Sequence, residues 1–227
     1  MTTQLVRCSA LCCAAWQAKA KLLLQFLGVR AFQQLRTKEK LGYVVSAFLR
    51  ADYGVLGLAF RIQSPKNAPA VICARVEAFL VSFEAEMEAL PPRDFEETRE
   101  TLAAKLLDFD KTMRDQHRRL WREIAHHNYN WSRATELPAA IGSVSHAQLL
   151  AFFRRHLGAA SAERRRLTVQ VYCSAHEDAT VASATAEAQA GRTILLDVMS
   201  VALFRKESDL FPNLLAERGP ELQVSSL

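Results

Sequence analysis

Several absences narrow this 227-residue chain before any motif is read. No apolar run approaches the ~20 residues that a membrane-crossing helix needs, so no membrane partner is expected. The five cysteines (Cys8, Cys12, Cys13, Cys73 and Cys173) form no CxxC pair and are odd in number. Free thiols in a reducing compartment fit that pattern better than a disulfide framework. The six histidines (His117, His126, His127, His146, His156 and His176) sit in neither HExxH nor H-x-x-E-H. The nearest metal-like spacing puts Glu123 one helical turn from His127, with no third ligand in sequence. The same residues suit a helix C-terminus, where histidine complements the dipole. No metal site is therefore expected in this chain. A G-x-S-x-G elbow, a phosphate loop and a dinucleotide fingerprint are all missing, and no local pattern marks a Ser–His or Cys–His nucleophile.

Acidic residues are missing from the first 38 positions, where Arg7, Lys19, Lys21, Arg30, Arg36 and Lys38 are basic. That composition resembles a mitochondrial presequence, yet the same stretch also reads as an ordinary helix. The net charge of +5 is spread along the chain. Its densest cluster, Arg164-Arg165-Arg166, precedes the apolar run Leu167 to Val171 and reads as a solvated strand entrance. A nucleic-acid site needs a clustered basic face with stacking aromatics, so no nucleic-acid partner is expected.

What is present is ordinary for a globular chain: half the residues are hydrophobic and 23% are charged. This length suits one or two domains. Apolar spacing predicts a helix over Trp16 to Leu35, with residues 1–15 unassigned. Tyr43 to Leu49 and Val55 to Ile62 read as two strands around Arg50-Ala51-Asp52-Tyr53-Gly54, an antiparallel hairpin. Helices follow over Ala68 to Leu90 and over Arg93 to His127, the latter kinked near Asp108 to Lys111. Ser145 with Gln148 forms a capping box before Leu149, and Leu167, Val169, Val171 and Cys173 alternate as a third strand. Ala179 to Gly191 reads as a surface loop. The predicted fold is α+β: a largely antiparallel sheet with helices packed on one face. Its domain spans 16–175, with 176–227 an irregular extension of it.

One polar segment joins the first helix to the first strand of the hairpin. Phe32 to Tyr43 places Arg36, Lys38, Glu39, Lys40 and Tyr43 around Gly42. Residue chemistry alone fits both a polar helix terminus with a turn and a binding element.

Leu35-Arg36-Thr37-Lys38-Glu39-Lys40-Leu41-Gly42-Tyr43 resembles the L-R-T-K-E-Q-L-G-Y segment of the insulin-degrading-enzyme, or pitrilysin-type M16, peptidases. The likeness continues through Gly57-Leu58, Ile62-Gln63-Ser64 and Arg75 to Leu80. It then takes in Trp121-Arg122-Glu123-Ile124, Phe204-Arg205-Lys206 and Leu210-Phe211-Pro212, covering roughly residues 20–212. Lys40 departs from the family's glutamine.

The resemblance implies part of the C-terminal half of a hinged zinc metalloendopeptidase. Tyr43 would then be catalytic, donating its hydroxyl to the scissile carbonyl or the developing oxyanion. Arg36, with Tyr43, would bind substrate. This chain would bind no cofactor, because zinc belongs to an N-terminal half carrying H-x-x-E-H. The expected partners are a peptide substrate and that zinc-bearing half, in cis or in trans, and the chain alone is expected to be inactive. The alternative is a non-catalytic binding or assembly subunit paired with an active M16-type partner. By the same resemblance the opening strands of the sheet are missing, leaving an edge in need of cover. A truncated product, a partial gene or one chain of a split enzyme would each fit. The expected compartment is cytoplasmic, with mitochondrial or peroxisomal as alternatives; Ser225-Ser226-Leu227 only loosely resembles S-K-L.

Overall fold

The computed structural model describes residues 2–8, 14–52, 55–107, 110–125, 129–174, 177, 182, 186 and 198–207. Its first strand, β1 (Thr2–Cys8), lies in the stretch that periodicity left unassigned. Helix α1 (Ala14–Ala31) follows and continues directly into a seven-residue π-helical segment, Phe32–Lys38. The hairpin is β2 (Val44–Asp52) and β3 (Val55–Gln63), running from Val44 opposite Gln63 to Asp52 opposite Val55. The expected turn residues Tyr53 and Gly54 lie outside the described residues. Helix α2 (Pro69–Glu88) begins with proline in its first turn, where the missing N–H costs nothing. It is followed by α3 (Pro92–Leu107), α4 (Met113–Ala125), α5 (Arg133–Gly142) and α6 (His146–His156). Strand β4 (Arg165–Gln170) and helix α7 (Val198–Glu207) complete the described elements.

The four described strands form one antiparallel sheet in the order β2-β3-β1-β4. Strand β1 pairs with β3 on one side and with β4 on the other. The sheet is small, however, and the chain is mostly helical. This corrects the expected fold, a largely antiparallel sheet with helices packed on one face: helices rather than the sheet make up most of the described residues. The long helix expected over 93–127 is two helices, α3 and α4. Helix α5 adds a further one, with Leu137, Pro138 and Ile141 buried.

Residues 1–171 form one compact unit and residues 172–227 another. In the first unit the core joins sheet to helices through aromatic contacts. Phe60 of β3 meets Phe79 edge-on at 6.2 Å, Phe79 lies 5.8 Å from Phe83, and Phe83 lies 5.6 Å from Phe153 of α6. Phe60, Phe83 and Phe153 are buried to within 1% of full burial. Each such ring stabilises by about 2–3 kcal/mol through burial alone. Leu22, Leu23, Leu27 and Leu35 add the α1 side of the same core. Helix α6 starts with the expected capping box: Gln148 N–H donates to Ser145 Oγ at 3.2 Å, and Ser145 N–H to Gln148 Oε1 at 3.1 Å. In the second unit α7 exposes Met199, Val201, Leu203 and Phe204. Leu210-Phe211-Pro212 lie outside the described residues.

Candidate functional site

The junction between α1 and β2 is built in unusual backbone. In the π-helical segment hydrogen bonds reach beyond the α-helical four residues: Glu39 N–H donates to Gln34 O at 2.9 Å, and Leu41 N–H to Leu35 O at 3.0 Å. Lys40 then takes a left-handed conformation, φ 52°, which normally favours glycine. Leu35 and Leu41, both buried, hold the turn against the core from either side. Such apolar contacts commonly accompany a left-handed helix stop. A left-handed lysine costs on the order of 1–3 kcal/mol, so surrounding structure must hold it in place.

Three contacts do so. Gln34 Nε2 donates to Glu39 Oε1 at 2.8 Å, and Arg75 Nε from α2 to Glu39 Oε2 at 2.7 Å. Asn67 Nδ2 donates to Leu41 O at 3.0 Å, while its backbone N–H bonds Ser64 Oγ. Gly42 lies against the end of β3, where a Cβ would stand 2.1 Å from Gln63 O. The Arg75 hydrogen bond is the largest influence holding the Glu39 carboxyl below the ordinary carboxylate value. Partial burial opposes it, and Gln34 and the Arg75 charge reinforce it.

On this turn the structure brings together both residues singled out from the sequence. The Arg36 guanidinium carbon is 4.7 Å from the Phe32 ring centre and 5.6 Å from that of Tyr43. Tyr43 is 81% exposed, so its ring and hydroxyl face outward. A guanidinium and a phenol are both strong donors, suited to carbonyl oxygens or to an oxygen gaining negative charge. No thiol, serine or histidine is seen bonded to either of them among the described residues. The sequence did not single out Gln34, Glu39, Asn67 or Arg75 as supports. Glu39 and Arg75 both fall inside stretches similar to the peptidases, which was the signal that could have pointed to them.

The other candidates take structural places. Glu123 is buried and pairs with Arg133, Nε to Oε1 at 2.6 Å, while Arg133 also donates to Gln17. His126, His127 and His176 lie outside the described residues. His117 stacks on Trp121, and His146 Nε2 lies 2.7 Å from Met87 O. Arg164 and Arg166 both donate to Glu77 on α2, at 2.7 and 3.0 Å, so much of the tribasic cluster ties β4 to that helix. Gln170 Nε2 lies 3.7 Å from the half-buried Cys73 Sγ, and Cys173 is exposed. Among the described residues no group of three His, Cys, Asp or Glu side chains could hold a metal. No described helix is long and apolar enough to cross a membrane.

The family model described as PQQ synthase PqqF-like, C-terminal lobe domain 4, matches residues 22–121. The peroxisomal insulin-degrading enzyme-like 1 of Arabidopsis thaliana is 32% identical over 157 residues, covering 67% of this chain and 16% of that protein. The insulin-degrading enzyme of Homo sapiens is 32% identical over 151 residues, covering 66% of this chain and 15% of its own length. The crystal structure of pitrilysin shares the fold with a TM-score of 0.64 at 23% identity, over 76% of this chain and 19% of that one. The chain thus spans less than a fifth of these relatives.

Proposed function

We propose that this chain, which belongs to the M16 family of pitrilysin and insulin-degrading enzyme as part of its C-terminal region, supplies the substrate-binding side of a zinc metalloendopeptidase. The observation that carries this reading is the pairing of Arg36 with an exposed Tyr43 on a turn held by contacts from α2 and β3. Tyr43 donates its hydroxyl to the scissile carbonyl and to the oxyanion that grows from it. Donors aimed at developing charge accelerate because they act more strongly on the transition state than on the bound substrate. Arg36 binds neighbouring peptide carbonyls and keeps the phenol oriented. In this reading the metal and its activated water come from a zinc-bearing half that this chain must meet.

The purified chain should not hydrolyse a fluorogenic peptide. Supplying a zinc-bearing M16 half in trans should restore cleavage, and Tyr43→Phe should lower turnover by about a hundredfold. Zinc-dependent cleavage by the chain alone, or unchanged turnover in Tyr43→Phe, would sink this reading.

A further inference from the structure

The left-handed Lys40 and the widened π-helical turn carry local cost, so this backbone persists only where other elements over-determine it. The support from α2 has a distinctive build. Ile72, Val76 and Phe79 are buried and fix the helix, whereas the Arg75 side chain between them is 47% exposed. The Arg75 Nε reaches Glu39 Oε2 at 2.7 Å, 36 residues away in sequence. Glu39 in turn takes the Gln34 amide at 2.8 Å, tying the last turn of the π-helical segment to the residue that follows it. Arg36 lies between Gln34 and Glu39 in the chain, and Tyr43 four residues beyond Glu39.

We propose that Arg75 is a positioning residue: through Glu39 it clamps the turn so that Arg36 and Tyr43 are presented together. This inference rests on the substrate-binding reading above, but the clamp itself can be measured without catalysis. The pair lies at the surface, with the Arg75 side chain 47% and the Glu39 side chain 13% exposed, and a pair of this kind adds little to global stability, so its removal should loosen one turn and leave the fold intact.

Two arms test it. In the isolated chain, Arg75→Ala should speed amide hydrogen exchange at Glu39 and Leu41 by about tenfold, the energy of a weak local contact, with the thermal midpoint unchanged. Unchanged exchange at both amides overturns the clamp. In the zinc-complemented peptidase, Arg75→Ala should lower kcat about tenfold with a smaller effect on KM, as expected for a misplaced transition-state donor. Arg75→Lys should restore part of that loss, and Glu39→Gln combined with Arg75→Ala should be no worse than either change alone. If Tyr43→Phe impairs cleavage while Arg75→Ala does not, the positioning role is overturned and the substrate-binding reading stands. If Tyr43→Phe has no effect, that reading fails, and the exchange arm alone decides the clamp.

Discussion

The guanidinium of Arg36 lies over the ring of Tyr43, with its central carbon 5.6 Å from the ring centre, and over Phe32 at 4.7 Å. Two aromatic faces therefore orient one cation, an arrangement worth roughly 0.5–1 kcal/mol per ring at an exposed site. A lysine would keep the charge but lose the planar fork and its stacking. Arg36→Lys is expected to weaken peptide binding by the complemented peptidase about tenfold, and Arg36→Ala further still. Titration of a fluorescent peptide against each variant checks the order. Equal affinity in all three would remove Arg36 from substrate binding.

Gly42 and Gly142 make a matched pair of tests. A Cβ at Gly42 would stand 2.1 Å from the Gln63 carbonyl oxygen, which is backbone and cannot turn aside. Gly42→Ala should therefore push β3 away from the turn and cost about 1–3 kcal/mol. A Cβ at Gly142, the last residue of α5, meets nothing within 4 Å. Gly142→Ala should be neutral or stabilise by up to about 1 kcal/mol, since alanine loses less backbone freedom in a helix. Urea midpoints of both variants decide this; similar losses at both sites would contradict the close approach at Gly42.

Elements with local signals were legible in the sequence. Partial alternation marked β2, a β-rich run marked β3, a single apolar stripe marked α2, and Ser145 with Gln148 marked the start of α6. Strand β1 was not legible, because Thr2–Cys8 mixes Leu5 and Val6 with Thr, Gln and Arg and is held by β3 and β4 from far along the chain. Helix α5 was obscured by Pro138, which removes one hydrogen bond but is buried beside Leu137. At the site, Arg36 and Tyr43 stood out through their likeness to the peptidases, whereas residue chemistry also fitted a plain turn. Asn67 and Arg75 reach the turn from 26 and 36 residues downstream, a distance over which no sequence period carries information.

Lys21 on α1 tests how burial and like charge compete. Desolvation is the largest influence lowering its pKa, and the charges of Arg122 and Arg133 lower it further. Among the described residues no carboxylate offsets them. With the folded value below 10.5, the unfolded chain binds more protons between the two values, so stability rises with pH across that window. Below it the charged amine is a standing penalty. Lys21→Met should therefore stabilise at pH 7 by about 0.5–2 kcal/mol and flatten the alkaline rise. Chemical unfolding at pH 7 and pH 10 measures both; a less stable Met variant at pH 7 would mean that the ammonium has a favourable partner.

His156 poses the same question at the acid end. It sits in the last turn of α6, where the helix dipole favours the charged imidazolium. Yet its ring is buried edge-on between Phe152, at 4.7 Å, and Trp16, at 6.0 Å. Burial is the largest influence and lowers its pKa; Arg155 adds to this, Glu163 opposes it, and Lys19 lowers it slightly. The folded chain therefore holds His156 neutral where the unfolded chain would already protonate it, near 6.5. Stability should be full above that value, decline as pH falls from it toward the lower folded value, and level off below. The Glu39 carboxyl, also lowered, titrates below 4.5 and leaves this window clear. Comparing urea midpoints at pH 7.5 and pH 5 for the native chain and His156→Gln isolates the effect. The native chain should lose more stability than the variant; equal losses would show that the helix dipole offsets desolvation at this ring.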